Sequence, residues 1–80
     1  MEQKQTGTLK LLGFLEKINQ LEVCFDTRIS AERAAEYHKK LEEWGVTDEE
    51  IKTITDQILK NYYKFPALAA FRKEYDALWS

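Results

Sequence analysis

Eighty residues with one Pro, three Gly and no low-complexity tract leave room for a single domain. A hydrophobic fraction of 44% with ten aromatics is enough for one core, and a disordered chain would be poorer in both. The formal charge of −2, from 12 basic and 14 acidic residues spread along the chain, argues against a mainly electrostatic nucleic-acid binder, because counterion release needs a concentrated basic surface.

In chain order, Leu11, Phe14, Leu15, Ile18, Leu21 and Phe25 recur at spacings of three or four, which places them on one helical face. They predict a first helix over residues 8–22, with Thr8 as its N-cap and residues 1–7 as a flexible lead to a domain spanning 8–80. Val23-Cys24-Phe25-Asp26-Thr27 weakens a helix and reads as the exit turn, with Phe25 folded back onto the core. Ser30 then caps a second helix over 31–44, where Glu32 sits near the positive helix end. Ala34, Tyr37, His38, Leu41 and Trp44 form its apolar stripe, Gly45 supplies the left-handed stop, and Glu36 and Lys40 stand in the favourable order for an ion pair.

Thr47-Asp48-Glu49-Glu50 spells a capping box, the most specific local signal in the chain. It opens a third helix over 48–63 with Ile51, Ile54, Ile58, Leu59 and Tyr62 inward. Pro66 donates no backbone hydrogen bond and pushes Phe65 toward an extended conformation, so this helix must end before it. Proline also suits the start of a new helix, and a fourth follows over 67–79 with Leu68, Phe71, Tyr75 and Leu78 on one side. Phe65 is expected to plug the core at this elbow. Leu78 and Trp79 extend the last stripe, so Trp79 is expected to close the bottom of the core, the alternative being an anchor for a partner. Four short amphipathic helices with brief connections make a small all-α bundle, expected to be a monomer.

Little here points to catalysis. The single cysteine, Cys24, cannot form an internal disulfide and reads as a buried, inert small hydrophobe, while His38 sits at the edge of its stripe. One Cys and one His supply no ligand set for a structural zinc. The acidic pairs Glu42-Glu43 and Asp48-Glu49-Glu50 lie at helix ends, where capping and the helix dipole account for them. No glycine loop is present to cradle a phosphate, so neither an enzyme nor a cofactor is expected. No apolar stretch approaches the length of a membrane span, and a chain stabilised by packing alone suits the cytoplasm.

The candidate site is therefore a surface. Lys60, Tyr63 and Lys64 near the elbow, with Arg72 and Lys73 on the fourth helix, interleave an aromatic with basic groups. Such residues stack on bases and neutralise phosphates, or serve as protein hot spots. The competing reading is an ordinary solvated face, with Tyr62 inward, Tyr63 half-covered and the basic groups paired with Asp56 and Asp76.

The order of an apolar helix, Phe25, Ser30-Ala-Glu-Arg-Ala-Ala-Glu-Tyr-His-Lys-Lys-Leu41, Glu49-Glu50-Ile51 through Ile58-Leu59-Lys60-Asn61-Tyr62, and Lys64-Phe65-Pro66-Ala67-Leu68 resembles the N-terminal domain of phage replicative-helicase loader and inhibitor proteins. The similarity spans roughly residues 8 to 75 and is strongest at Lys64-Phe65-Pro66. The resemblance implies an all-α fold and a non-enzymatic role in replication initiation, in which the loader binds the hexameric helicase and holds it inactive. Two departures qualify what carries over. The family has a flexible C-terminal extension that this sequence, ending at Ser80, does not include, which shifts the expectation from loading to inhibition. The turn at Trp44-Gly45-Val46-Thr47 is also longer than the family pattern. The expected partner is a replicative helicase; the alternatives are another host complex, of transcription or defence, and a direct DNA- or RNA-binding role.

Overall fold

The computed structural model describes residues 9–79. Among them lie four α-helices and no strand: α1 Leu11–Cys24, α2 Ala31–Glu43, α3 Asp48–Asn61 and α4 Leu68–Ala77. This is the expected small all-α bundle, with α1 packed on α3 and α2, and α3 packed on α4.

The lead of residues 1–7 and the expected cap Thr8 lie outside the described residues. The helix itself starts later than residue 8, at Leu11, with Lys10 as an extended N-cap that makes no side-chain capping bond. The delay has a tertiary cause. Leu9 is buried ahead of the helix, its carbonyl meets His38 Nε2 at 2.8 Å, and the Lys10 N–H donates to Asp48 Oδ1 at 2.9 Å. A carbonyl can only accept, so the His38 proton resides on Nε2. The chain is thus held extended by α2 and by the start of α3 before α1 can begin.

The other end of α1 also corrects the sequence reading, since Val23 and Cys24 remain helical. The Thr27 N–H reaches Glu22 O at 3.0 Å and the Asp26 N–H reaches Val23 O at 3.3 Å, a Schellman closure with Asp26 at φ 51° where glycine is usual. Asp tolerates the left-handed region better than most residues. Glu22 then accepts from the Ile29 N–H at 2.9 Å, fastening the following loop to the helix. These bonds outweigh propensity differences of a few tenths of a kcal/mol.

α2 and α3 begin as their sequences dictate. Ser30 Oγ accepts from the Arg33 N–H at 3.1 Å. Thr47 and Glu50 form the reciprocal box, at 3.2 Å from the Glu50 N–H and 2.9 Å from the Thr47 N–H. α2 closes through Gly45 at φ 81°, with the Val46 N–H on Leu41 O; Leu41 and Val46 are both buried, as a Schellman stop favours. On the outer face Lys40 pairs with Glu43 at 3.6 Å in place of the expected Glu36. α3 stops at Asn61, two residues short of expectation, because Tyr62 turns extended; α4 is shorter at both ends than 67–79.

The core joins Leu9, Phe14, Ile18 and Leu21 to Tyr37, Leu41, Val46, Ile51, Ile54, Ile58 and Phe71, with Phe25 packed against it. Thr55 is buried among them without cost, since its hydroxyl donates to Ile51 O at 2.7 Å. Leu11 and Leu15, expected inside, are 48% and 38% exposed. At the elbow Pro66 is buried, while Phe65 is half-buried and packs against the core from its edge rather than filling it.

What secures the elbow comes from α2. The buried Tyr37 hydroxyl donates to Pro66 O at 3.2 Å and accepts from Arg33 at 3.0 Å, and the Tyr37 ring meets Phe71 edge-on at 5.5 Å. Tyr37→Phe should therefore cost about 1–3 kcal/mol, because it leaves the Pro66 carbonyl without its donor. Phe71→Ala should cost about 3–5 kcal/mol and Phe65→Ala clearly less. Urea unfolding of the three variants checks this order, and a Phe65→Ala loss as large as that of Phe71→Ala would contradict it.

Candidate functional site

The five expected surface residues lie on neighbouring elements: Lys60 near the end of α3, Tyr63 and Lys64 in the bend after it, and Arg72 and Lys73 on α4. Tyr63 lies in the bend after α3, fully solvated at 101% relative exposure rather than half-covered, and Lys60 and Lys64 beside it in sequence are exposed too. Its neighbour Tyr62 turns the other way, and its hydroxyl donates to Glu74 Oε2 at 3.1 Å. Burial first, and then the adjacent Glu74 carboxylate, hold the Tyr62 phenol above its ordinary pKa.

Arg72 has partners of its own. Its guanidinium lies 5.0 Å from the Trp44 ring centre and 5.9 Å from that of Tyr75, and Nε stands 3.2 Å from Asp76 Oδ1. Trp44 caps the C-terminal end of α2, seven residues and so about 10 Å along the helix from Tyr37, which marks the elbow. Arg72 is thus engaged by two rings and by Asp76. Lys73 is exposed on α4.

Around Arg72 the structure assembles a second aromatic group. The Tyr75 hydroxyl donates to Trp44 O at 3.1 Å, and Trp79 meets the Tyr75 ring edge-on at 6.2 Å. Trp79 is 68% exposed, so it does not close the core as expected. α4 ends at Ala77, and Trp79 lies in the turn beyond it, its N–H on Asp76 O at 3.1 Å.

The sequence reading missed the outer face of α1. Leu12 is 79% and Val23 73% exposed, on the same helix as the half-exposed Leu11 and Leu15. An open groove runs beside them, lined by Leu15, Ile18 and Asn19 of α1 and by Ala31 and Ala34 of α2. A signal was present in the sequence, since Leu12 and Val23 fall off the 14-18-21 stripe, and an apolar residue off the core face has no internal partner.

Nucleophile and base are not brought together. Cys24 is exposed at the last turn of α1, a correction to its expected burial. The His38 ring instead sits 5.4 Å from Phe14, ten residues and so about 15 Å back along that helix, with Nδ1 3.7 Å from Glu42. Among the described residues no three His, Cys, Asp or Glu side chains are grouped to hold a metal ion, and no helix is long and apolar enough to cross a membrane.

Compared with protein-family models, with curated proteins and with solved structures, the chain gives no match. What the molecule offers a partner is accordingly read from its own surface: the α1 ridge, the solvated Tyr63, and the Trp79 end. The placement of Cys24 and Trp79 is directly measurable. Cys24 should react completely with Ellman's reagent in the folded protein, and iodide should quench the Trp79 contribution to fluorescence far more than that of Trp44. A thiol that reacts only after denaturation would contradict the exposed last turn of α1.

Proposed function

We propose that this chain is a non-enzymatic interaction module that covers a functional surface of a nucleic-acid-processing machine, with a hexameric replicative helicase as the leading target. The observation that carries the protein-binding part is the outer face of α1, where Leu11, Leu12, Leu15 and Val23 share one helix and stand partly or largely in water. Scattered exposed apolar residues are ordinary, whereas several on one face of one element mark a surface that another protein covers. The choice of target rests on the resemblance of the Ser30 to Leu41 and Lys64 to Leu68 segments to helicase loader and inhibitor domains. Inhibition by occlusion needs no chemistry from the chain, in keeping with a site made of side chains suited to contact.

A second reading, direct binding of single-stranded nucleic acid, is favoured by Tyr63, whose ring is free to stack while Lys60 and Lys64 neighbour it in sequence. The net charge of −2 weighs against it.

The two readings separate in one set of measurements. Added to a purified replicative helicase, the chain should co-elute with the hexamer and suppress strand unwinding, and Lys64→Ala should leave this unchanged. It should not shift a labelled oligonucleotide at moderate salt. Absence of co-elution at tens of micromolar would remove the helicase as target, and oligonucleotide binding that falls steeply with salt and weakens in Lys64→Ala would establish the second reading.

A further inference from the structure

α1 carries more apolar surface than the bundle buries, and that surface has a shape. Leu12, Leu15, Asn19 and Val23 follow one another at intervals of three, four and four, the spacing of a single ridge along a helix. Leu12 and Val23 stand nearly bare toward its two ends. The groove beside the ridge has a volume of about 420 Å³, and its far wall is made by Ala31 and Ala34, small side chains that let another helix approach closely.

Around the ridge and the groove together, acids outnumber bases. Glu16 borders the ridge on its outer flank, and Glu22, which accepts from the Ile29 N–H, lines the groove on the inner flank. Asp26 follows at the end of the helix, beside Val23 and Glu22. Arg28 is the cation among the groove-lining residues, while Lys17 lies across α1 from the ridge by helical periodicity.

The geometry points to a docking site for a cationic amphipathic helix of a partner protein. Its apolar side chains at i, i+3 or i+4 and i+7 fill the groove against Leu15 and the alanines, and flanking Lys or Arg meet Glu16, Glu22 and Asp26. A second copy of this chain fits worse, because pairing α1 on α1 sets the Glu16 and Glu22 flanks of each copy against acidic flanks of the other. Nucleic acid and anionic lipid are disfavoured by the same carboxylates. The inference rests on the reading of the chain as a protein-binding module and adds to it the chemistry of the partner.

The probe is a fluorescein-labelled peptide of about 18 residues, five helical turns, with Leu along one face and Lys elsewhere. It is set beside the same peptide with Glu for Lys, and beside a Leu/Lys peptide scrambled to destroy the face. Anisotropy and amide NMR spectra of the full chain should show the Lys peptide binding and shifting signals of α1 and residues 28–34. The Glu and scrambled peptides should bind about tenfold more weakly or less, equivalent to about 1.4 kcal/mol. Leu12→Ser and Glu16→Lys are exposed substitutions that should keep the thermal midpoint, and each should weaken the Lys peptide about tenfold.

Equal binding of the Lys and Glu peptides on α1 would overturn the cationic partner while leaving the protein-binding reading intact. Shifts centred on Tyr63 or Trp79, or no binding of the Lys peptide at millimolar concentration, would overturn the docking site. A dimer in sedimentation that Leu12→Ser dissolves would give the face to a second copy.

Discussion

The fold turns on one buried hydroxyl. Tyr37 reaches from the middle of α2 to the carbonyl of Pro66, the residue where the α3–α4 elbow bends, and its ring lies against Phe71 on the helix that the elbow returns. Proline removes a donor and restricts the residue before it, so it can end a helix but cannot aim the next one. The aim comes from a partner elsewhere in the chain. Because Arg33 donates to the same oxygen, the Tyr37 hydroxyl is satisfied both as donor and as acceptor, as a buried polar group must be.

The same logic operates at the start of the domain. Leu9 and Lys10 are tied through their backbones to His38 on α2 and Asp48 on α3, so the first helix begins only after the chain has been fastened to two others. Asp48 thereby serves twice, as an acid in the favourable first turn of α3 and as the acceptor that holds the lead to α1. With both ends of α1 fastened, at Lys10 and at the Glu22 carboxylate, the helix is presented as a rigid element. A helix already formed is a suitable platform for docking because its backbone has little freedom left to lose on binding.

Charge and aromatic content on the surface are partitioned rather than pooled. Arg72 is taken up by Trp44, Tyr75 and Asp76, and Tyr62 by Glu74, which leaves Tyr63 alone in solvent at the bend. The apolar residues of α1 divide between the core and water.

The four helices, their order and the caps of α2 and α3 were legible in the sequence because those features are local. Ser30, the Thr47–Glu50 box, Gly45 and Pro66 act within a few residues of themselves, and the core stripes of α2 and α3 follow from helical periodicity. Periodicity names a face without saying how much of it a neighbour covers. Hence Leu11 and Leu15 were assigned inward and Trp79 to the base of the core, whereas the cover available comes from three other short helices and does not extend to them. Ends set by distant partners were misplaced for the same reason, since the start of α1 depends on His38 and Asp48, 29 and 38 residues away. The sequence by itself determined an all-α chain of four helices, two of them capped by side chains. Which apolar and basic side chains remain free for a partner was decided by tertiary structure alone, because burial and pairing belong to surfaces that exist only once the helices have met.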